Sequence, residues 1–454
     1  MKGNHIVSDS DSDSDSDTDH GARRHHSSGL LVAVSILMVM VTVTACSSTA
    51  SMRAGTTTSA FTQRRAPIPS AAFQNSTGVT SSSVTIGNIS TETGGLFTGA
   101  VIGTEAYAAY VNSEGGINGR KLIVTTYDDN FTGAGNKDGT QEAVDNDFAT
   151  VGGFSLEDSF GGTVLAANPG VPNVQLSLSA YTSSLVNTYS PDPIGDGWPT
   201  GPLLYFKSRF PDEIAHTGSL TSALPSALAT WAIERSTMEH LGYRIVYQPS
   251  VPVTQTDFTQ NVVAMKNAGV KLLYMDQLPQ NYTAGVIKAL NQQNFHPTLV
   301  IGVSAYSHAL VPDSGGPAAI DGAYLEQPAS LFLGEDAAAI PAVHTFLTWV
   351  QKVSPGFNPD YYTLAGWAST ELFADALKNA GAKPTRGSEL AALRKISTFS
   401  SDHLTAEVSP VNRTPVVCYV LARIVNGQFR RLADPPTSAP TYGYRCNGTY
   451  YVPG

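Results

Sequence analysis

The chain has 454 residues, enough for two or three domains, with 42% apolar and only 14% charged residues, where a typical soluble domain carries about 25% charged. The formal charge is −10, and leaving out residues 1–46 leaves 24 basic and 31 acidic residues, or −7. An acidic body without basic clusters is a poor candidate for nucleic acid, whose recognition leans on Lys and Arg neutralising phosphates. No second long apolar run follows Cys46, which excludes an integral membrane bundle.

Near its start the chain carries "DSDSDSDSDTD", six Asp within residues 9–19, and continues through Arg23 and Arg24 into an apolar run over 30–45. Sixteen residues interrupted by Ser35, Thr42 and Thr44 are short for a permanent span, which needs roughly 20. They suit the core of an export signal, and the arginines ahead of it match the positive-inside tendency. The closing "VTAC" resembles the lipobox of bacterial lipoproteins, which implies cleavage before Cys46 and a diacylglyceride on its sulfur. A signal anchor with an incidental cysteine is the alternative. Residues 47–82, rich in Ser, Thr and Ala without apolar periodicity, read as a flexible linker.

From residue 83 the texture changes to short strands alternating with amphipathic helices. A strand over 83–90 leads into a helix over 100–116, with Ile102, Ala106, Ala109 and Tyr110 on one face and Gly115-Gly116 at its end. Strands follow at 120–129, 150–154 and 171–177, with helices near 141–148 and 161–167 between them. This β-α-β-α-β order predicts a parallel sheet covered on both faces. A Pro/Gly-rich connection over 187–202 breaks the pattern. It resumes with strands at 215–220, 243–249, 270–276 and 298–304 and helices at 226–242, up to 269 and at 282–293. In the first of these helices Met238 and Leu241 suit a buried face. A long helix over 361–381 and a strand pair within 414–432 complete the body. Two βαβ sets separated by a break read as two α/β lobes.

Cys418, in a strand-like run, and Cys446, in a Tyr/Gly-rich tail, form an isolated pair. In an exported protein such a pair reads as a disulfide tying the tail to the body, with two free thiols as the alternative. Catalytic patterns are scarce. There is no Gly-x-Ser-x-Gly elbow, no His-Glu-x-x-His, no Walker loop and no strand-linked Gly-x-Gly-x-x-Gly. The ten His are scattered, so nothing points to an enzyme, a metal or a cofactor.

The most informative stretch is "NSEGGINGRKLIVTTYDDN", residues 112–130. Two glycines stop a helix, Asn118-Gly119 makes a tight turn, and the next strand ends in paired acids. It resembles a segment of the type I periplasmic binding proteins, in the branched-chain amino acid and amide-binding, leucine-binding protein-like group that serves ABC importers. The likeness continues through "VGGFS", "VPNVQLSLSA", "TDFTQNVVAMKNAGVKLLYM", "DGAYLEQPA" and "YYTLAGWASTELFADALKNAG", in order over residues 83–432.

The resemblance implies two doubly wound parallel-sheet lobes joined by three crossings and closing over a ligand. Lobe 1 is expected over 83–200 and 335–408, lobe 2 over 201–334 and 409–432, and a separate tail over 433–454. It further implies a lipid-anchored protein on the outer face of the cell membrane with an ABC permease as partner. A sensor ectodomain signalling to a membrane partner is the alternative reading of the same fold, and an esterase-like hydrolase is a third. In amino-acid binders of the group, a Ser after the third strand and a Thr after the fourth hold the ligand carboxylate. Those positions fall here near Ser155 and Leu156, and near Ser179 and Tyr181. The place of the acid for the ligand ammonium falls on Ser304, and that of a second-lobe aromatic on Leu278 and Pro279. Phe154, Leu156, Tyr181, Leu278 and Tyr306 are thus expected to line an apolar cleft, with Ser155, Ser177, Ser179 and Ser304 as neutral hydrogen-bonders beside Asp276 and Gln277. An unpaired buried charge is costly, so a weakly charged, partly apolar ligand is expected, within a range of amino acid, amide or neutral organic. The competing expectation is that Asp276, Glu157 or Glu326 supplies an ammonium partner from another position.

Overall fold

A computed structural model describes residues 66–193, 195–252, 254–432 and 435–453. In lobe 1 the strands β1 (Ser83–Ser90), β2 (Lys121–Asp128), β3 (Ala149–Val151), β4 (Asn173–Val174) and β5 (Thr188–Tyr189) form a parallel sheet in the order β2-β1-β3-β4-β5. Between them run α1 (Thr98–Ser113), α2 (Gly133–Asn146), α3 (Asp158–Ala167) and the single turn α4 (Ala180–Ser184). Helix α2 starts well before the predicted 141. Its first turns are polar and carry no apolar stripe, and the start is set by Thr132, whose hydroxyl accepts from the Gly135 N–H at 3.0 Å.

After the first crossing, which includes β6 (Trp198–Pro199), the chain enters lobe 2. Its elements are α5 (Gly201–Arg209), β7 (Thr217–Ser219), β8 (Thr221–Ser222), α6 (Pro225–His240), β9 (Ile245–Tyr247), β10 (Ser250–Val251), α7 (Thr259–Asn267), β11 (Leu272–Met275), α8 (Gln280–Gln292), β12 (Thr298–Ile301), α9 (Leu310–Asp313), α10 (Pro317–Ile320) and β13 (Tyr324–Gln327). The second crossing leads through α11 (Asp336–Ala339) to α12 (Pro341–Val353), α13 (Tyr361–Asn379) and α14 (Arg386–Leu393), and the third returns to β14 (Val420–Val425) and β15 (Gln428–Arg431). The seven-stranded sheet runs β15-β14-β13-β12-β11-β7-β9. Its β13-to-β9 part is parallel, as expected of a doubly wound lobe, and the strand pair β14 and β15 adds antiparallel at one edge. The second and third crossings run side by side, with Ser330 N–H donating to Leu404 O at 2.9 Å and Ala406 N–H to Pro328 O at 2.8 Å.

Helix α1 is buried on most of its circumference, Tyr107 and Ala108 included, because it lies between the sheet and α12 and α13. Helix α13 begins with a capping box: Thr363 N–H donates to Asp360 at 2.8 Å and Asp360 N–H to the Thr363 hydroxyl at 3.1 Å. Its far end is held by the tight turn noted in the sequence. Asn118 and Gly119 both have positive φ (49° and 78°), and the Asn118 amide donates to Leu377 O and Lys378 O.

Two boundaries need correction. The predicted linker ends earlier than residue 82: Ser70–Phe73 forms a 3-10 turn with Ala72 buried, Asn75 O accepts from Arg386 N–H at 2.7 Å, and the Ser76 hydroxyl donates to Pro384 O. Small residues let this segment lie flat on α14. The tail is also not separate, since β16 (Tyr450–Tyr451) pairs antiparallel with β6.

On α13, Glu371 is buried and accepts from the Ser401 hydroxyl. Burial pushes its carboxyl up to about 8, with Asp402 and Asp375 adding to the rise and Ser401 and Lys378 opposing it. The folded chain therefore keeps a proton that the unfolded chain releases near its ordinary value of 4.5. Stability from this group is present in full below that value and is lost as pH rises towards 8, at up to about 1.4 kcal/mol per pH unit. Glu371→Gln is expected to flatten the fall in melting temperature between pH 5 and 8; an unchanged slope counts against this assignment.

Candidate functional site

The loops at the carboxyl ends of the strands of both lobes meet at an aromatic cluster. Phe97 follows β1, Phe154 follows β3, and Tyr362 opens α13. Their rings form a triangle with centroid separations of 4.7 Å (Phe97–Phe154), 4.7 Å (Phe97–Tyr362) and 4.5 Å (Phe154–Tyr362). Leu156, Leu176 and Leu178 pack with it from lobe 1, and Val303 reaches it from lobe 2. Tyr361, beside Tyr362, donates its hydroxyl to Asp192 in the first crossing.

Next to this cluster lobe 2 gathers carboxylates. Met275 pairs with Ile301, and Ile301 with Leu325. One residue further along that register, Asp276, Gly302 and Glu326 stand in a row across β11, β12 and β13. The glycine in the middle leaves room for the Asp276 carboxylate, since a Cβ there would fall 1.6 Å from Asp276 Oδ1 and 2.8 Å from its Cα. Glu234, fully buried on α6, joins them: the Gln277 amide donates to Asp276 Oδ2 at 2.7 Å and reaches Glu234 Oε2 at 3.5 Å. Burial holds Glu234 and Glu326 well above the usual carboxylate range, each raised further by Asp276, and burial lifts Asp276 to about 6. Glu234 Oε1 and Glu326 Oε2 are buried without a hydrogen-bond partner among the described residues.

Of the residues predicted for the cleft, Phe154 and Leu156 stand in the aromatic cluster, and Asp276 and Gln277 in the acid group. Ser177 is buried after β4 and its hydroxyl has no partner among the described residues. The other serines are engaged within the fold. Ser155 donates to Asp129 and accepts from Glu157 N–H at 2.9 Å. Ser179 caps α4, accepting from Thr182 N–H at 3.1 Å. Ser304 donates to the carbonyls of Asp276 (2.9 Å) and Leu278 (3.2 Å), tying two strand ends together. Tyr181 is exposed on α4. Leu278 is wholly buried in the core. So is Tyr306, packed on Phe332 and Phe429, its hydroxyl accepting from Leu333 N–H at 2.8 Å.

Phe97, Tyr361, Tyr362, Asp192 and Glu234 were not foreseen. Only Glu234 left a local signal, a lone acid between Trp231 and Met238 on an apolar helix face. Of the three acids expected as alternative ammonium partners, Asp276 and Glu326 stand in the acid row and Glu157 on the lobe 1 side, ahead of α3. Cys418 and Cys446 are joined in a disulfide. Cys46 lies outside the described residues. Among the described residues no helix is long and apolar enough to cross a membrane. A separate cavity of about 400 Å³ opens at the amino-terminal edge of lobe 2, lined by Arg209, Ile287, Phe295, Tyr324 and Arg423 among others. It lies at the opposite end of the strands from the cleft.

Two α/β lobes with three crossings and a site at the facing strand ends define a two-lobed binding protein. Residues 83–428 match the periplasmic binding protein family, and the chain belongs to it. Its relatives include the Leu/Ile/Val-binding protein homolog 1 of Brucella suis, 26% identical over 291 residues that cover 62% of this chain and 73% of the relative. Among solved structures it is similar to the leucine-binding protein LivK of Thermotoga maritima (TM-score 0.64, 15% identity, 77% of this chain and 98% of the other). It is also similar to a fatty acid ABC transporter substrate-binding protein of Thermomonospora curvata (TM-score 0.62, 15% identity, 84% and 95%). A third, LivJ of Streptococcus pneumoniae in complex with isoleucine, has TM-score 0.60 and 16% identity over 77% and 99%. These relatives are substrate-binding proteins rather than enzymes, and the family is extracytoplasmic.

Proposed function

We propose that this protein captures a small organic solute between its lobes and delivers it to an ABC permease, held at the outer face of the membrane by lipid on Cys46. The observation that carries the capture step is the contact of Val303 from lobe 2 with the lobe 1 cluster of Phe97, Phe154 and Tyr362. A solute touching both walls contacts them together only when the lobes are closed, so it stabilises closure. The permease then responds to the closed form. A lone acyl chain anchors weakly, and the two chains of a diacylglyceride account for a stable tether.

The test of capture is mass spectrometry of whatever co-purifies with the protein, followed by a melting-temperature series with that compound. A true ligand raises the melting temperature with concentration, by about 2.7 kcal/mol of added stability at a hundredfold excess over Kd. A protein that carries nothing and responds to nothing it was exposed to in its host speaks against a receptor. The tether is tested separately: Cys46→Ala is expected to release the protein from membranes into the medium, and undiminished retention would return residues 30–45 to the role of an anchor.

A further inference from the structure

The aromatic cluster and the acid row share one backbone step, because Gly302 belongs to the row and Val303 packs on the rings. Tyr361 links them on the other side, with its ring 6.1 Å from that of Tyr362 and close enough to Asp276 to feel its charge. The site therefore has an apolar, π-rich wall and a carboxylate floor.

That floor lacks positive charge. Asp276 and Glu234 share one side-chain donor, the Gln277 amide, and the buried oxygens Glu234 Oε1 and Glu326 Oε2 have none among the described residues. No Lys or Arg occurs in the strand-end stretches 91–98, 129–133, 152–158, 175–181, 220–225, 276–280 or 302–310, nor in the crossing segments 190–200 and 328–340, and Arg413 in the third crossing donates to the carbonyls of Ser184 and Leu185. Carboxylates this enclosed need a cation or protons. Among the described residues no cluster of ligating side chains is placed to hold a metal ion. An ammonium group, with hydrogen-bonding contacts of about 2.8 Å and up to three donors, suits spread carboxylate oxygens, and its carbon body suits the rings beside it.

Lobe 1, by contrast, offers little to a ligand carboxylate. The Ser155 hydroxyl is engaged by Asp129 and the Ser179 hydroxyl by its helix cap. The main-chain N–H groups of Leu178 and Ser179 already donate to Asp158, and Glu157 stands next to that acid. An incoming carboxylate meets acids on both lobes.

We infer that the solute is an organic monocation, an alkyl- or arylalkyl-ammonium without a carboxylate, whose ammonium sits among Asp276, Glu326 and Glu234. This rests on the receptor reading above and narrows its ligand class. The test is calorimetry and thermal shift with two matched sets at pH 7.5: 3-methylbutylamine, leucine, 4-methylpentanoate and 3-methylbutanol; and phenethylamine, phenylalanine, 3-phenylpropanoate and 2-phenylethanol. One or both amines are expected to bind at least tenfold more tightly than the matching amino acid, and Glu326→Gln and Asp276→Asn to weaken that binding at least tenfold. The unliganded variants are expected to melt no lower than the parent protein, because the amide relieves a buried charge; this separates lost binding from lost folding. Leucine or phenylalanine binding as tightly as its amine, or amine binding indifferent to both substitutions, overturns the cation assignment and leaves the receptor reading standing. Silence of both sets also overturns it, while the receptor reading is judged on the co-purified compound.

Discussion

Gly103→Ala is expected to be among the most damaging single changes in the chain, lowering stability by about 3 kcal/mol or more. Helices α1 and α13 approach through reciprocal glycines. A Cβ on Gly103 would fall 1.9 Å from Thr363 O, and one on Gly366 would fall 2.2 Å from Ala100 O. Both clashes are with backbone, which cannot swing aside as the tip of a side chain can. The helices would have to separate, and their separation would undo the packing of Tyr107 on Trp367, whose ring centroids are 5.0 Å apart. Alanine's better helix propensity returns no more than about 1 kcal/mol. The damage should extend to the cleft, because Phe97 directly precedes α1 and Tyr361 and Tyr362 open α13. Urea denaturation measures the effect, with Gly366→Ala as the companion variant. A shift in stability below about 0.5 kcal/mol, the range of an ordinary surface substitution, would show that the helices can move apart without penalty.

The same contact explains what the sequence could and could not disclose. Strands β1 to β4 of lobe 1 were legible because each is a short apolar run closed by turn residues, whereas β5 lies inside the Pro/Gly-rich stretch that reads as a connection. So was the Asn118-Gly119 turn, whose positive φ at both positions matches the residues that tolerate it. Gly103 and Gly366 gave no such sign, since a glycine inside a helix reads only as weak propensity until its neighbour is known. Helix α5 was hidden by the Pro and Gly around it, although Pro202 in its first turn is where a helix accepts proline.

The candidate site was legible in part for a related reason. Serines at strand ends were read as free hydrogen-bonders, yet Ser155, Ser179 and Ser304 all bond within their own lobe, because short hydroxyl side chains find local partners first. The acid group is assembled from positions 234, 276 and 326, which meet only through sheet register and the face of α6. Its enabling residue, Gly302, read simply as part of a strand. Aligning the family's ligand positions one by one directed attention to Ser304. In the structure that hydroxyl holds two strand ends, and the negative charge stands on either side of Gly302.

Removing the disulfide is expected to lower stability by about 3–4 kcal/mol, the chain-entropy estimate for a bond between residues 28 apart in sequence. What the bond restrains is a tail that touches two of the three crossings. Tyr444 donates its hydroxyl to His403 O and Leu404 O at 3.0 Å each, in the third crossing. Tyr419 and Arg445 exchange backbone hydrogen bonds of 2.9 and 2.8 Å beside the bridge. Thr449 exchanges bonds with Thr200 at the end of the first crossing, and Tyr450 and Tyr451 pair with Pro199 and Trp198. With the link cut, the tail must hold these sites by its own few hydrogen bonds, each worth about 1 kcal/mol net, against the entropy of about twenty residues at roughly 1–2 kcal/mol each. Detachment of the tail is therefore expected before global unfolding, as new protease cleavage within residues 435–453 on reduction. The urea midpoint of the parent protein should fall on adding dithiothreitol, and that of Cys418→Ser/Cys446→Ser should start low and ignore the reductant. A parent midpoint that does not move, with the thiols confirmed free by alkylation, would mean that the tail is held by its strand pairing and tyrosine contacts alone.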